Sequence, residues 1–163
     1  MEILAGILGG FSVVLQPQNL MLCALGCLWG TIVGVLPGLG PLAGLTLLLP
    51  LTFHLGPASG VIMLSGIFAG AMYGGSTTSI LMRIPGEAAS VVTCIDGYEM
   101  AKRGRAGAAL TIAAVGSFFA GCVSTVLVAA SGPLLTSVAL SFGPADYFSL
   151  MLLGLIISAV LAQ

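Results

Sequence analysis

Charge is what this sequence lacks. Of its 163 residues, four are Lys or Arg and five are Asp or Glu, 6% of the chain, against roughly a quarter in ordinary soluble domains. So few charges cannot keep a globule dispersed in water. With 58% hydrophobic residues and a mean hydropathy of +1.20, the chain reads as one whose solvent is lipid. The net charge of −1 provides no basic stripe to displace counterions from phosphates, which excludes nucleic acid as a partner. Histidine occurs once, as His54 in a Gly/Pro-punctuated turn, where a headgroup-level position accounts for it. HExxH, GxSxG and P-loop lysine motifs are absent. Glu87 stands alone beside Pro-Gly, and Asp96 and Glu99 fall in a polar stretch, so no carboxylate pair is set for acid–base work. The sequence therefore offers no catalytic residues, no metal site and no resident cofactor, and we expect no enzyme. Cys23 and Cys27 share a helix face while Cys94 and Cys122 stand apart, a spacing that suits packing and neither zinc nor redox chemistry.

The charges are also confined. Between Ile3 and Met82, and again between Ala106 and Ala145, there is no Asp, Glu, Lys or Arg, so both stretches can lie at membrane depth without burying an ion. A crossing takes about 20 apolar residues, which allows two or three spans in the first stretch and one or two in the second. The expected fold is an all-α integral membrane protein, a multi-span helical bundle formed as a single transmembrane domain over residues 1–163. The N-terminus carries Glu2, lacks Lys and Arg, and shows no small-x-small cleavage site. It reads as an uncleaved interfacial segment over residues 1–19, not an export signal, with Asn19 as N-cap of the next helix. The apolar run Phe148 to Ala162 stops at Gln163 with no charged anchor, so we expect the chain to be the N-terminal portion of a longer protein.

Glycine and proline are abundant where charge is not. Gly26, Gly30, Gly34 and Gly38 recur every fourth residue through the apolar segment Leu20 to Leu36, and Gly66, Gly70 and Gly74 repeat that spacing in Ala58 to Tyr73. Such stripes let helices approach closely in lipid, where association relies on packing. The first stripe runs into Leu36-Pro37-Gly38-Leu39-Gly40-Pro41, where two prolines must break the helix. A break at membrane depth is tolerated only where the freed backbone faces protein or a water-filled cavity. Leu42 to Phe53 follows. The second stripe is expected to end in another breakable segment, Tyr73-Gly74-Gly75-Ser76-Thr77-Thr78-Ser79, with Pro85-Gly86-Glu87 beyond it. Four consecutive hydroxyls are costly in hydrocarbon unless bonded. They either back-bond to helix carbonyls or join other helices, or they ligate a substrate or a small cation.

Asp96 to Arg105 forms the solvated stretch, a loop over 96–105 or a short amphipathic helix. Lys102, Arg103 and Arg105 are three of the four basic residues, and the positive-inside bias makes them a cytoplasmic topology anchor. Ala106 to Ala130 is long enough to span, Gly132-Pro133 is expected to close it, Leu134 to Phe142 is too short to cross alone, and Gly143-Pro144-Ala145-Asp146 turns the chain. Two glycine-striped helices, each ending in a Pro/Gly break, form the pattern of a transporter site, in which helix ends face the transported ions. The competing reading is a structural or assembly subunit whose glycine stripes serve packing only.

Gly34-Val35-Leu36-Pro37-Gly38-Leu39-Gly40-Pro41, Leu47 to Phe53, Tyr73 to Leu81 and Ile84-Pro85-Gly86-Glu87 resemble the large membrane subunit of the tripartite tricarboxylate transporters, the TctA family. Asp96-Gly97-Tyr98, Gly104-Arg105-Ala106-Gly107, Ser117 to Gly121 and Phe142 to Phe148 continue the likeness over essentially the whole chain. The resemblance implies a multi-pass permease of the bacterial inner membrane that imports citrate-like tri- or dicarboxylates, driven by Na⁺ or H⁺. A periplasmic solute-binding protein and a small membrane subunit are its implied partners. It also implies a longer chain whose second half carries a related Pro-Gly segment, so that this sequence is one half of an inverted-repeat transporter. Carried over, Gly34, Pro37 and Pro41 shape the first break, and Tyr73, Gly74, Gly75, Pro85 and Gly86 shape the second. Substrate or ion binding then falls to the Gly38, Leu39 and Gly40 backbone and to the hydroxyls of Ser76, Thr77, Thr78 and Ser79. Arg83 is the one basic residue near the break, placed either to attract a polyanion or to snorkel to the interface.

Overall fold

Proline sets where most helices begin. In a computed structural model that describes residues 2–161, Pro17, Pro41, Pro57 and Pro144 each sit in the first turn of a helix, where the missing N–H is no loss and φ is already helical. The elements are α1 (Glu2–Val14), α2 (Pro17–Val35), α3 (Gly40–Thr52), α4 (Pro57–Met82), a 3₁₀ turn at Ala88–Ser90, α5 (Val91–Lys102), α6 (Ala106–Ser141) and α7 (Pro144–Leu161). Among the described residues there is no strand. Ala162 and Gln163, where the sequence places the end of the last apolar run, lie outside them. Three helical segments, Pro17–Val35, Pro57–Met82 and Ala106–Gly132, are long and apolar enough to cross a membrane; Leu135–Ser141 with Pro144–Val160, bent by 95°, makes a fourth if counted as one span. The chain divides into two compact units, Met1–Ser117 and Phe118–Gln163.

The first unit is built on the glycine stripes. A Cβ at Gly26 would stand 2.5 Å from the Met63 carbonyl oxygen, and at Gly30 and Gly34 it would strike the Ile67 and Ala71 carbonyls. The reverse holds from α4. A Cβ at Gly66 or Gly74 would stand 2.5 Å from the Cys23 or Thr31 oxygen, and one at Gly70 would strike the Cys27 carbonyl. Partners advance together along both helices, so α2 and α4 run parallel, each pressing its glycines onto the other's backbone. α3 returns alongside both, with Gly44 against Ile67 and Val33. Gly44 faces Ile67 and Gly60 faces Thr52, contacts that run in opposite directions along the chain and make α3 antiparallel to α4. At 13 residues, α3 extends about 20 Å at 1.5 Å per residue, short of a full crossing.

Several expectations change. Asn19 does not cap α2; Gln16 occupies that position and makes no side-chain cap. Instead Asn19, 3% exposed, donates from Nδ2 to the Val13 oxygen at 2.7 Å and accepts the Ser59 hydroxyl at 2.6 Å, pinning α1, α2 and α4 together. Within the first 19 residues lie α1 and the start of α2. Tyr73 to Ser79 does not break α4, which runs unbroken to Met82. Each of the four hydroxyls there reaches the carbonyl four residues back, so none of them forces a break. Asp96 to Lys102 is the body of α5, and only Arg103 to Arg105 turns the chain, with Gly104 at φ +76°. Gly132-Pro133 does not close α6, which continues to Ser141. One proline removes one hydrogen bond, whereas ending the helix there would free several carbonyls in an apolar stretch.

The second unit holds the rest of α6 and α7. Gly143 N–H donates to Asp146 Oδ2 at 2.8 Å, and the Phe142 and Tyr147 rings lie 6.2 Å apart across the bend.

The α2–α4 contact gives a direct test. Gly30→Ala should destabilise the protein by about 1–3 kcal/mol through overpacking, read by denaturant titration of the helical signal in detergent micelles. Gly107→Ala, whose added methyl meets nothing within 4 Å, should be neutral or slightly stabilising.

Candidate functional site

Because α2 and α4 run parallel, their C-terminal ends arrive at the same end of the first unit. α2 stops where Leu36 turns extended, and the link to α3 uses Gly38 at φ +88° and Gly40 at φ +62°. These left-handed values cost a residue with a Cβ roughly 1–2 kcal/mol each, which is why glycine stands at both. α4 ends at Arg83, itself left-handed at φ 59°, with its N–H on the Ser79 oxygen at 3.2 Å. The chain then folds back. Gly86 is buried against the Gly75 backbone, with the Gly34 oxygen 3.0 Å from where its Cβ would be, so three glycines from three segments meet at one point. Ser90, 2% exposed, locks this turn by donating to the Glu87 oxygen at 2.9 Å and accepting the Glu87 N–H at 3.2 Å.

These folds border an open cavity of about 400 Å³ lined by Gly38, Gly40, Pro85, Gly86, Glu87 and Val91. Gly40 opens α3 and Val91 opens α5, and neither helix has a side-chain cap at Leu39 or Ser90. Uncapped first turns present N–H groups and the positive end of the helix dipole, the features that hold a carboxylate where no lysine or arginine does. A larger groove of about 440 Å³ lies between α3 and α4, lined by Leu45, Thr46, Leu49, Val61, Leu64, Ser65 and Phe68. It carries no charge and offers a polyanion nothing.

The two breaks are thus brought together, but not by all of the expected residues. Gly38, Gly40, Pro85 and Gly86 line the cavity. Gly34 and Gly75 form its glycine contact, Pro37 and Pro41 bracket the link, and Leu39 is exposed beside it. Gly74 packs on Thr31, and Tyr73 is half-buried in α4. The hydroxyl cluster is elsewhere engaged. Ser76, Thr77 and Ser79 donate to the Met72, Tyr73 and Gly75 oxygens at 3.1, 3.0 and 2.9 Å. Thr78 donates to Val35 O at 2.9 Å, with Gly74 O at 3.3 Å, and so satisfies a carbonyl that the end of α2 leaves open. In membrane proteins such an interhelical bond is worth about 0.6 kcal/mol. Arg83 does not line the cavity; its guanidinium lies 5.7 Å from the centre of the Tyr98 ring, with Lys102 Nζ 5.8 Å from the same ring. Lys102 also pairs with Glu99 at 3.4 Å, and Arg103 and Arg105 share a second cavity of about 260 Å³ with Asp96, Glu99 and Met100. Basic residues at the end of α5 complement its dipole.

Glu87 and Val91 were not among the expected site residues. The signal for Glu87 is present in the sequence: apart from Glu2 it is the first carboxylate in the chain, and it directly follows Pro-Gly. It lies outside the spanning helices. Burial disfavours its charged form and pushes its carboxyl above the ordinary 4.5.

A sequence model of the family described as the tripartite tricarboxylate transporter TctA family matches residues 20–163. A protein of Agrobacterium vitis, described as an uncharacterized 52.8 kDa protein in the TAR-I ttuC' 3' region, is 56% identical over all 163 residues. The chain spans 32% of that relative's length. No solved structure matches the chain.

A carboxyl raised in the folded state binds more protons folded than unfolded, so its effect on stability is most favourable below 4.5 and is lost as pH rises through the higher folded value. Thermal unfolding in detergent should therefore show a wild-type stability that declines from pH 4.5 upward relative to Glu87→Gln, which removes the titration; equal slopes would exclude this coupling.

Proposed function

Since the chain belongs to the tripartite tricarboxylate transporter TctA family, we propose that it forms the N-terminal part of the permease of a binding-protein-dependent secondary transporter. The permease imports citrate-like tri- or dicarboxylates across the bacterial inner membrane, driven by a cation gradient. It receives substrate from a periplasmic solute-binding protein and works beside a small membrane subunit. The observation that carries this reading is the cavity where the α2–α3 link meets Pro85-Gly86-Glu87, with the uncapped starts of α3 and α5 on its wall. A chain almost without cations has to bind an anion through backbone N–H groups and helix ends, and these are what the cavity offers. Because the relative is about three times as long, we place the opposing wall in a second, inverted half of the permease. The basic end of α5 keeps that turn in the cytoplasm.

Reconstitution of the full-length permease with its two partners, followed by uptake of labelled citrate with and without Na⁺ or H⁺ gradients, tests the proposal. Gradient-dependent accumulation is expected, and absence of uptake for every tri- and dicarboxylate would leave only the assembly role. Gly38→Ala, at φ +88°, should lower uptake at least tenfold with normal insertion. Ser76→Ala, whose hydroxyl is held by its own helix, should change it less than about twofold, since only a local back-bond is lost. For topology, a cysteine placed at Lys102 should react with an impermeant maleimide only when the reagent reaches the cytoplasmic face.

A further inference from the structure

The cavity contains one full charge, and no proposed substrate contact uses it. Its walls carry only partial charges otherwise: α2 ends beside it with carbonyl groups, about half a negative charge, α3 and α5 begin there with about half a positive charge each, and α4 passes it at Gly75 and ends beyond it, against Tyr98. What remains is the Glu87 carboxylate. From α4 the residue against Glu87 is Gly75, 3.6 Å from Glu87 Cγ to the position a Cβ would take. From the α2–α3 link the facing residues are Gly38 and Gly40, and from α5 it is Val91. None of these titrates or carries charge. Arg83, the nearest basic residue in sequence, is stacked on Tyr98, and the basic residues at the end of α5 group with Asp96 and Glu99.

A lone carboxylate in a cavity read as a carboxylate-binding site repels the very ligand that the helix ends attract, unless something neutralises it first. We infer that Glu87 is the cation-accepting group of this cavity, taking up a small monovalent cation, a proton or a sodium ion, before a substrate carboxylate can share the space. The inference rests on the transport reading above and adds to it a residue and an order of events: cation first, anion second. Burial, which already favours the uncharged carboxyl, works in the same direction. With the cation bound, the cavity is left with the starts of α3 and α5 as its dominant field for an anion.

The test uses the full-length permease with its small subunit in proteoliposomes. An apolar carbodiimide reacts with protonated carboxyls shielded from water, so peptide mass spectrometry should find the N-acylurea adduct at Glu87, increasing at least tenfold as pH is lowered from 8 to 5, about what a titrating group delivers over such a range. If Na⁺ is the ligand, sodium but not choline protects Glu87 from labelling at fixed pH; if the proton is the ligand, the two salts act alike. Glu87→Gln should lower gradient-driven uptake at least tenfold and make the uptake that remains insensitive to collapse of the gradient, and Glu87→Asp should restore part of that sensitivity. Absence of the adduct at every pH, or wild-type gradient dependence in Glu87→Gln, overturns the inference. Carboxylate uptake by the wild type without labelling at Glu87 removes the cation site and leaves transport standing. Labelling at Glu87 with no uptake of any carboxylate does the reverse. Should Glu87→Gln fail to insert, the labelling of the wild type decides alone.

Discussion

Everything in the first unit follows from how closely α2 and α4 approach. In water two apolar helices would be driven together by exclusion of solvent, but in lipid the surrounding tails are as apolar as the side chains, and adhesion has to come from contact itself. Gly26, Gly30 and Gly34 on one helix, and Gly66, Gly70 and Gly74 on the other, bring backbone against backbone at distances where a single methyl would collide with a carbonyl. Because each helix supplies glycines and each supplies the carbonyls they meet, the contact has one register. That register is what sets Val35 beside Thr78 and Gly34, Gly75 and Gly86 at a common point.

The parallel sense of this pair shapes the site. Two parallel neighbours in a short chain need a return path, and α3 provides it by starting at a left-handed glycine and covering only about 20 Å at helical rise. Its start therefore lies where α2 ends. α5 begins near the same place because Gly86 packs into the α2–α4 contact, and Ser90 fastens the turn that follows. Three helix ends, the close of α2 and the starts of α3 and α5, thus gather around one cavity, with α4 passing it at Gly75.

The serine and threonine cluster has a different role from the one its composition suggests. A run of hydroxyls in an apolar helix looks like a ligand set, yet Ser76, Thr77 and Ser79 donate to carbonyls in the turn below, and Thr78 reaches the open carbonyl of α2. Their work is to let α4 remain a helix across its Gly-Gly pair while it is pressed against α2. Among the described residues that line the cavity, the one ionisable group is Glu87, one residue beyond the glycine that makes the turn possible.

Much of this was legible in the residues. Scarcity of charge identified lipid as the solvent, the four-residue glycine spacing identified close-packed helices, and Pro37 to Pro41 located the first break, because helical periodicity, proline chemistry and ion solvation are local properties that need no partner. The second break was read to take in Tyr73 to Ser79 as well as Pro85-Gly86, whereas α4 runs on to Met82, because whether a hydroxyl satisfies its own helix or exposes itself to a ligand depends on rotamer and on the neighbouring backbone. Asn19 was misread for the same reason: its local sequence suits a cap, while Ser59, forty residues away, offers a better partner. The sequence by itself determined that the chain is a helical membrane protein with glycine-lined contacts and interrupted helices. Only the tertiary structure decided that α2 and α4 run parallel, that both breaks border one cavity, and that Glu87 is its one charge, since register, helix direction and desolvation arise between segments and exist in none of them alone.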